Sequence, residues 1–161
     1  GTMANRGCPD SDSDGVIDKD DRCPTSPGTI ANNGCPEIEE EDKETLELAA
    51  QAVNFETASA ILTSDSRAIL NNIANILRRY PDYHMNIGGH TDSVGSADSN
   101  QELSERRAKS CYDFLIARGI SPNRLSYEGF GEAQPIADNR YRDGREQNRR
   151  VEFDIYLPGN E

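Results

Sequence analysis

Two side chains of opposite charge stand out because their types and spacing suit the binding of a small charged group. Asp92 lies in the glycine-rich segment GGHTDSVG, residues 88–95, directly after a predicted strand. Arg107 lies two turns into the helix predicted to follow. An aspartate offers a fixed negative charge, and an arginine offers a planar fork of donors that matches a carboxylate. Together they predict a site for a zwitterion, a group that carries one ammonium and one carboxylate.

The helical pattern places Arg107 on the apolar side of its helix. At 3.6 residues per turn, Arg107 projects about 40° away from Cys111, towards the side of Phe114. An inward arginine requires a partner, because an unpaired buried charge is costly. Asp92 is the nearest carboxylate in the turn before the helix. A plain Asp92–Arg107 salt bridge that pins the turn is therefore the structural alternative to a binding site.

A second set of chemistry-bearing residues lies near the N-terminus. In DSDSDGVIDKDD, residues 10–21, carboxylates occupy positions 1, 3, 5, 9 and 12, and glycine occupies position 6. This is the spacing of an EF-hand calcium loop, in which the carbonyl at position 7 is also a ligand. The alternative is an acidic disordered linker. The predicted calcium ligands are Asp10, Asp12, Asp14, Val16, Asp18 and Asp21.

Three cysteines frame this acidic loop. Cys8, Cys23 and Cys35 each precede a proline, and GCPD and GCPE resemble one module boundary seen twice, 27 residues apart. Cysteine spacing alone does not determine the pairing. Cys23–Cys35 is the favoured bridge and Cys8–Cys23 is the alternative; either indicates an oxidising compartment such as a periplasm. Cys111 is predicted to be a core residue of a helix.

Composition narrows the function classes. The chain has 161 residues, which suits one domain plus an appendage. Its net charge is -12, and residues 1–42 carry 11 acidic and 3 basic side chains, so general nucleic-acid binding is not expected. There is no apolar run of about 18 residues and no visible signal peptide. The opening Gly1-Thr2-Met3 is interpreted as a cloning scar, so we expect a piece of a longer protein.

Four segments are predicted from these changes in composition. They are a tag and linker remnant at 1–6, the calcium repeat at 7–36, an acidic linker at 37–45 and a globular domain at 46–158.

Hydrophobic periodicity in the globular domain alternates between that of strands and that of helices. The predicted fold class is α+β, an α/β sandwich of βαβαββ order whose mixed sheet is covered by two main helices. Residues 131–150 are predicted to be a polar loop. The predicted elements are a strand at 52–55, a helix from Thr63 or Ser64 to Tyr80, a strand at 83–87, a helix from Ser96 or Ser99 to Arg118, and strands at 124–130 and 151–157.

The globular domain resembles the OmpA-like C-terminal domain family. The matching blocks occur in order along the chain and include GHTDSVG (89–95), LSERRA (103–108), GFG (129–131) and GREQNRRVE (144–152). The resemblance implies a periplasmic module that binds peptidoglycan non-covalently and is not an enzyme. It implies that Asp92 holds the ammonium and Arg107 the carboxylate of diaminopimelate in the stem peptide. It also implies that Asn100 and Leu103 line this pocket and that Arg149 adds a contact.

Residues 7–36 resemble a thrombospondin type 3 repeat, which implies calcium as a cofactor. Such a repeat before an OmpA-like domain implies a parent protein of the outer membrane, with an anchor or barrel, that is tethered to the cell wall. Whether the domain forms a homodimer is left open by the sequence.

Two other function classes compete with binding. A wall hydrolase could use His90 and Asp92 as metal ligands, but both histidines alternate with apolar residues on a strand, and no serine-elbow or zinc-protease motif is present. A nucleic-acid surface could use the arginines between 140 and 150, but acidic residues interleave with them.

Overall fold

The computed structural model describes residues 6–159, so the tag remnant predicted at 1–6 lies, apart from Arg6, outside the described residues. The chain divides into two compact units. The first comprises Gly1–Glu40 with Tyr80–Asp82, and the second comprises Glu41–Arg79 with Tyr83–Glu161. No helix within residues 6–159 is long and apolar enough to cross a membrane.

The first unit is a loop-rich segment closed by a disulfide. Cys23 and Cys35 are joined, with their Cα atoms 5.0 Å apart, and both are fully buried. The favoured pairing is thus confirmed. A short 3₁₀ helix, Ile30–Asn32, lies inside the closed loop and is capped by Thr29, whose hydroxyl accepts from the Asn32 N–H. Cys8 forms no disulfide within the described part of the chain.

The second unit contains the regular structure. Its helices are α1 (Glu40–Ala52, which begins at the last residue of the first unit), α2 (Ser64–Arg79), α3 (Ala97–Ala117) and α4 (Arg142–Asn148); its strands are β1 (His84–Gly89), β2 (Leu125–Gly129) and β3 (Val151–Tyr156). A 3₁₀ helix at Pro122–Arg124 precedes β2.

The three strands form a mixed sheet in the order β2-β1-β3. β1 runs parallel to β2, with Gly89 opposite Gly129, and antiparallel to β3, with Gly89 opposite Val151. α3 contacts both β1 and β2, and α2 packs on α3. The predicted α/β sandwich with a mixed sheet under two main helices is confirmed. Its core is built by apolar residues of α2, the strands and α3, among them Leu70, Ile73, Leu77, Met85, Ile87, Cys111 and Leu115.

The two main helices begin where their capping residues stand. The Thr63 hydroxyl accepts from the Ser66 N–H at 3.3 Å, at the start of α2. The Ser96 hydroxyl accepts from the Ser99 N–H at 3.1 Å, so Ser96 and not Ser99 caps α3. Each hydroxyl satisfies a backbone donor that has no partner inside the helix. Gly119 follows α3 with φ +92°, a conformation that glycine adopts without strain.

The strand predicted at 52–55 is wrong. α1 extends to Ala52, and Phe55 makes only a single antiparallel bridge to Leu62. Residues 40–45 of the acidic linker are likewise helical. Acidic residues favour the N-terminal end of a helix, and LELAAQA supplies strong helix formers, so the helix includes part of the predicted linker and ends at the first residue of the predicted strand. The role of 37–45 as a linker between domains stays a prediction.

The polar loop predicted at 131–150 contains the helix α4. Its sequence has no apolar stripe, so periodicity gave no signal. Asn148 ends it and is fully buried. The Asn148 Oδ1 accepts from the N–H groups of Ile136 and Ala137 at 2.7 and 3.0 Å, and its Nδ2 donates to the Ala137 carbonyl at 2.9 Å. This buried amide therefore fixes the loop to α4 and sets the position of the next residue, Arg149.

Candidate functional site

Two glycines let α3 lie directly on the end of the sheet. A Cβ at Gly89 would lie 2.1 Å from the Ser104 carbonyl oxygen, and a Cβ at Gly129 would lie 2.4 Å from the Glu105 nitrogen. The space beside Gly89 is therefore filled by the backbone of α3. This close packing brings the start of α3 beside the loop that follows β1.

Asp92 is held rigidly in that loop. One carboxylate oxygen, Oδ1, accepts from the Val94 N–H at 2.9 Å. Its backbone carbonyl accepts from the Thr91 hydroxyl at 2.8 Å and from Asn100 Nδ2 at 3.2 Å. Asp92 is 8% exposed. Both its backbone and one side-chain oxygen are thus fixed before any ligand binds.

Asn100 positions the loop. Its amide nitrogen donates to the Asp92 carbonyl and, at 3.0 Å, to the Val94 carbonyl. The predicted contact of Asn100 with a ligand would therefore have to come from the remaining amide oxygen. Leu103 is half-buried. Neither residue lines the cavity described below.

Arg107 faces inward, as the helical projection predicts, but its partners are unexpected. Its Nε donates to the Ser59 carbonyl at 2.9 Å. Its guanidinium carbon lies 5.0 Å from the centre of the Phe55 ring, a cation–π contact. Burial, followed by the positive charge of Arg149, lowers the pKa of Arg107, and Asp92 opposes this shift. An arginine remains protonated even so, and no hydrogen bond of its two terminal nitrogens is found within residues 6–159.

The salt bridge between Asp92 and Arg107 is absent among the described residues. Asp92 instead pairs with Arg149, whose Nη1 lies 2.7 Å from Asp92 Oδ2. The structural alternative raised by the sequence, a pin made of Asp92 and Arg107, is therefore wrong. A ligand contact of Arg149 was implied only by family resemblance. In the structure, Arg149 forms the ion pair with Asp92.

A small cavity of about 120 Å³ lies between these elements. Since one water needs about 10–15 Å³ of such space, the cavity admits the end of a ligand side chain. Its lining residues come from the segment after α1, the end of β1, α3 and the start of β3; they are Val53, Asn54, Phe55, His90, Arg107, Arg149, Arg150 and Val151.

The cavity has an excess of positive charge. Arg150 is buried and neutralised by Glu152, with Arg150 Nε 2.8 Å from the carboxylate. Asp92 pairs with Arg149, and Arg107 forms no ion pair with an acidic side chain among the described residues. One guanidinium charge is thus uncompensated around the cavity, and an anionic group such as a carboxylate is the ligand that would balance it.

His90 is a neutral wall of the same cavity. It is 2% exposed and stacks on Phe130 with ring centres 5.1 Å apart. Its Nε2 lies 3.5 Å from Glu152, and neither ring nitrogen has a hydrogen-bond partner within residues 6–159. Burial, followed by the charge of Arg150, lowers the pKa of His90, against the attraction of Glu152. The prediction that His90 is structural fits this packing.

The acidic loop of the first unit gathers three of its predicted ligands. Asp10, Asp12 and Asp14 each place a carboxylate oxygen so that all three lie within 4.8 Å of one another. This is the sole group of three or more such side chains found in the described part of the chain. The hydrolase alternative, with a metal at His90 and Asp92, has no comparable set of ligands.

The other predicted calcium ligands differ in their surroundings. Both carboxylate oxygens of Asp18 accept from Ser11, at 2.7 Å each, so Asp18 does not join the cluster. Asp21 is buried, and its Oδ1 accepts from the Cys23 N–H at 2.7 Å. The Val16 N–H donates to Asp14 Oδ1 at 2.8 Å.

Sequence reasoning missed the residues that hold the side chain of Arg107 in place. Phe55 and Ser59 lie in the segment between α1 and α2, about 50 residues before the arginine they hold. The sequence assigned Phe55 only to the strand predicted at 52–55. Ser59 contributes a backbone carbonyl, which every residue has, so its residue type does not indicate the contact.

Comparison with known proteins decides the family. Residues 54–149 match the OmpA family. The chain belongs to the OmpA family. This confirms the resemblance to the OmpA-like domain, and the matched range contains Asp92, Arg107 and Arg149.

Relatives of this OmpA-family chain include an outer membrane porin and a peptidoglycan-binding protein. Outer membrane porin F of Pseudomonas aeruginosa is 40% identical over 149 residues, which are 92% of this chain and 42% of that protein. The peptidoglycan-binding protein ArfA of Mycobacterium tuberculosis is 40% identical over 101 residues, which are 63% of this chain and 31% of that protein. The chain thus spans less than half the length of each relative.

A solved structure shows the same fold. The peptidoglycan-associated lipoprotein from Burkholderia pseudomallei aligns with a TM-score of 0.60 and 26% sequence identity. The alignment covers 65% of this chain and 88% of that structure.

Proposed function

We propose that this OmpA-family chain binds peptidoglycan non-covalently through the free amino acid end of diaminopimelate. The observation that carries the proposal is the composition of the site: two guanidinium groups, Arg107 and Arg149, line the cavity, and the fixed carboxylate of Asp92 pairs with Arg149. Asp92 would hold the ligand ammonium. The terminal nitrogens of Arg107 would hold the ligand carboxylate in a bidentate pair.

The relatives support this proposal in their names. One is described as peptidoglycan-binding, and the structural neighbour as peptidoglycan-associated. Porin F is named for the outer membrane. We therefore place the chain in the periplasm, as part of an outer-membrane protein that the domain tethers to the cell wall.

Sedimentation with purified wall sacculi tests the proposal. Wild-type protein is expected in the pellet, and Asp92→Ala and Arg107→Ala are expected to stay largely in the supernatant. Arg106→Ala is the matched control, because Arg106 is exposed on the same helix and removes the same charge. Equal retention of all four proteins would contradict the proposal. Release of soluble muropeptides by the wild type would instead support the hydrolase alternative.

We propose calcium binding as a second function, located in the first unit and consistent with its resemblance to a thrombospondin type 3 repeat. The donors are hard carboxylate oxygens, which calcium prefers. Asp12 Oδ2 and Asp21 Oδ2 are buried without a hydrogen-bond partner in the described residues. Desolvation, together with the charges of Asp14 and Asp10, raises the pKa of Asp12. A cation would compensate this crowding of negative charge. Asp10, Asp12 and Asp14 would hold it, and it would order the loop.

Calorimetric titration with calcium tests this second function. Asp12→Asn and Asp14→Asn are expected to abolish the binding heat, since each removes a charge but keeps the shape of the side chain. Asp20→Asn is the control, because Asp20 lies in the same loop and outside the cluster. Absence of binding heat at millimolar calcium in the wild type would refute it.

A further inference from the structure

We infer that Arg149 determines ligand specificity through its salt bridge with Asp92, so that only a ligand with both an ammonium and an adjacent carboxylate displaces it efficiently. This inference rests on the proposed function. It assigns to Arg149 an exchange of partners, from Asp92 to the ligand carboxylate.

The side chains of Asp92 and Arg149 differ in how firmly the surrounding structure holds them. Asp92 is anchored by Val94, Thr91 and Asn100, and its side chain is 11% exposed. The Arg149 side chain is 43% exposed, and its hydrogen bond to Asp92 is the one found for it among the described residues. A long side chain with one partner can swing away while the carboxylate stays in place. The exchange therefore requires movement of Arg149 alone.

Arg107 does not take the place of Arg149 on Asp92. Its Nε is engaged by the Ser59 carbonyl, and its guanidinium lies over the Phe55 ring. Arg107 is therefore a fixed receptor for a carboxylate. Arg149 is the movable cation of the site, and it stands where the ligand ammonium has to bind.

The identity of the displacing group follows from the charges. An ammonium that takes Asp92 expels Arg149 and leaves two guanidinium groups, Arg107 and Arg149, without an anion. A carboxylate beside that ammonium supplies the anion for both. Diaminopimelate carries both groups at its free end, whereas a lysine side chain carries only the ammonium. The site therefore discriminates against lysine-type stem peptides without a steric block. Their binding would leave the guanidinium groups of Arg107 and Arg149 without an anion, which is unfavourable.

Titration of two soluble stem tripeptides tests the inference, one ending in diaminopimelate and one ending in lysine. The wild type is expected to prefer the diaminopimelate peptide. In Arg149→Gln the lysine peptide no longer competes with an internal cation, so its Kd is expected to fall by about fivefold or more. The diaminopimelate peptide loses one carboxylate contact, so its Kd is expected to stay constant or to rise. The ratio of the two Kd values is the decisive quantity.

Arg142→Gln is the matched control. Arg142 is an exposed arginine of α4 with the same charge, and its partner within the described chain is Glu146 at 3.9 Å. It is expected to retain the wild-type ratio. Circular dichroism of Arg149→Gln checks that the exposed substitution preserves the fold.

An unchanged Kd ratio in Arg149→Gln, which includes an equal weakening of both peptides, would overturn the inference. The proposed function fails separately, if the wild type binds neither peptide or if Asp92→Ala and Arg107→Ala bind the diaminopimelate peptide as the wild type does.

Discussion

Asp92 is paired with Arg149 and not with Arg107, the partner that the sequence suggested. The Nη1 of Arg149 lies 2.7 Å from Asp92 Oδ2, across 57 residues of sequence. Arg107, 15 positions away, lies instead over Phe55. The site thus contains the Asp92–Arg149 salt bridge and, separately, the guanidinium of Arg107. This separation of roles is the basis for the binding proposal.

The buried amide of Asn148 is expected to support both stability and binding. Asn148→Ala removes hydrogen bonds to Ile136, Ala137 and Asn139 and leaves their polar groups unsatisfied. We expect a loss of about 2–4 kcal/mol in the free energy of unfolding, measured in urea. Asn72→Ala, at an exposed position of α2, is the control and is expected to change it by less than about 1 kcal/mol. Equal effects would contradict the structural role of Asn148.

Neighbouring glycines of β1 are expected to differ sharply in their tolerance of a methyl group. Gly89→Ala would place Cβ 2.1 Å from the backbone oxygen of Ser104, which cannot move without displacing α3. We expect a destabilisation of about 3 kcal/mol or more. Gly88→Ala meets the Phe130 ring at 3.0 Å, and that ring can shift, so about 1 kcal/mol is expected. Thermal unfolding of the two variants measures the contrast, and a reversed order would refute the packing of α3 on Gly89.

Acidification is expected to destabilise the protein partly through His90. Because burial and Arg150 lower the pKa of His90, the unfolded chain binds a proton more readily than the folded one. The stability that neutral His90 contributes is therefore complete above its unfolded pKa of about 6.5 and is lost as the pH falls towards the folded pKa. His90→Phe keeps a ring against Phe130 and removes the titration.

The pH test compares unfolding free energies between about pH 7 and pH 5. The wild type is expected to lose more stability over this range than His90→Phe. An identical slope in wild type and His90→Phe would contradict the buried neutral state of His90.

The two cysteines outside the disulfide are expected to differ in reactivity. Complete burial raises the pKa of Cys111 to about 12, so its thiolate is scarce and inaccessible at pH 8. Cys8 is half-buried in the first unit. One thiol per chain is therefore expected to react with a chromogenic thiol reagent in the native protein, and a second thiol after denaturation. Loss of the native signal in Cys8→Ser, and its retention in Cys111→Ser, would confirm the assignment.

The strongest local signals in the sequence identified most of the fold. Capping by Thr63 and Ser96 and long apolar periodicity located α2 and α3, and alternation located the strands. α4 is short and polar, and its stability comes from the tertiary contacts of Asn148, so no local pattern marks it. The strand expected at 52–55 does not form, because α1 takes its first residue, Ala52, and Phe55 makes only a single bridge to Leu62.

The part of the site that depends on helix geometry could be predicted from the sequence. The projection placed Arg107 inward, since that follows from spacing alone. The partners of Arg107 and Asp92 come from distant segments, and their identity depends on how α4 and the segment after α1 fold back. Arg149 and Arg150 are adjacent and of the same type, so only the three-dimensional structure shows that Arg149 contacts Asp92 and that Arg150 contacts Glu152.

The most direct test of the central claim is a calorimetric titration of the chain with the diaminopimelate-ending stem tripeptide. The wild type is expected to bind with a measurable heat, and Asp92→Ala and Arg107→Ala are each expected to lose at least about tenfold in affinity, because each removes one half of a charge-assisted contact. Arg106→Ala is expected to bind as the wild type does. Unchanged affinity in both site variants, with the fold intact, would show that the ligand binds elsewhere and would contradict the account.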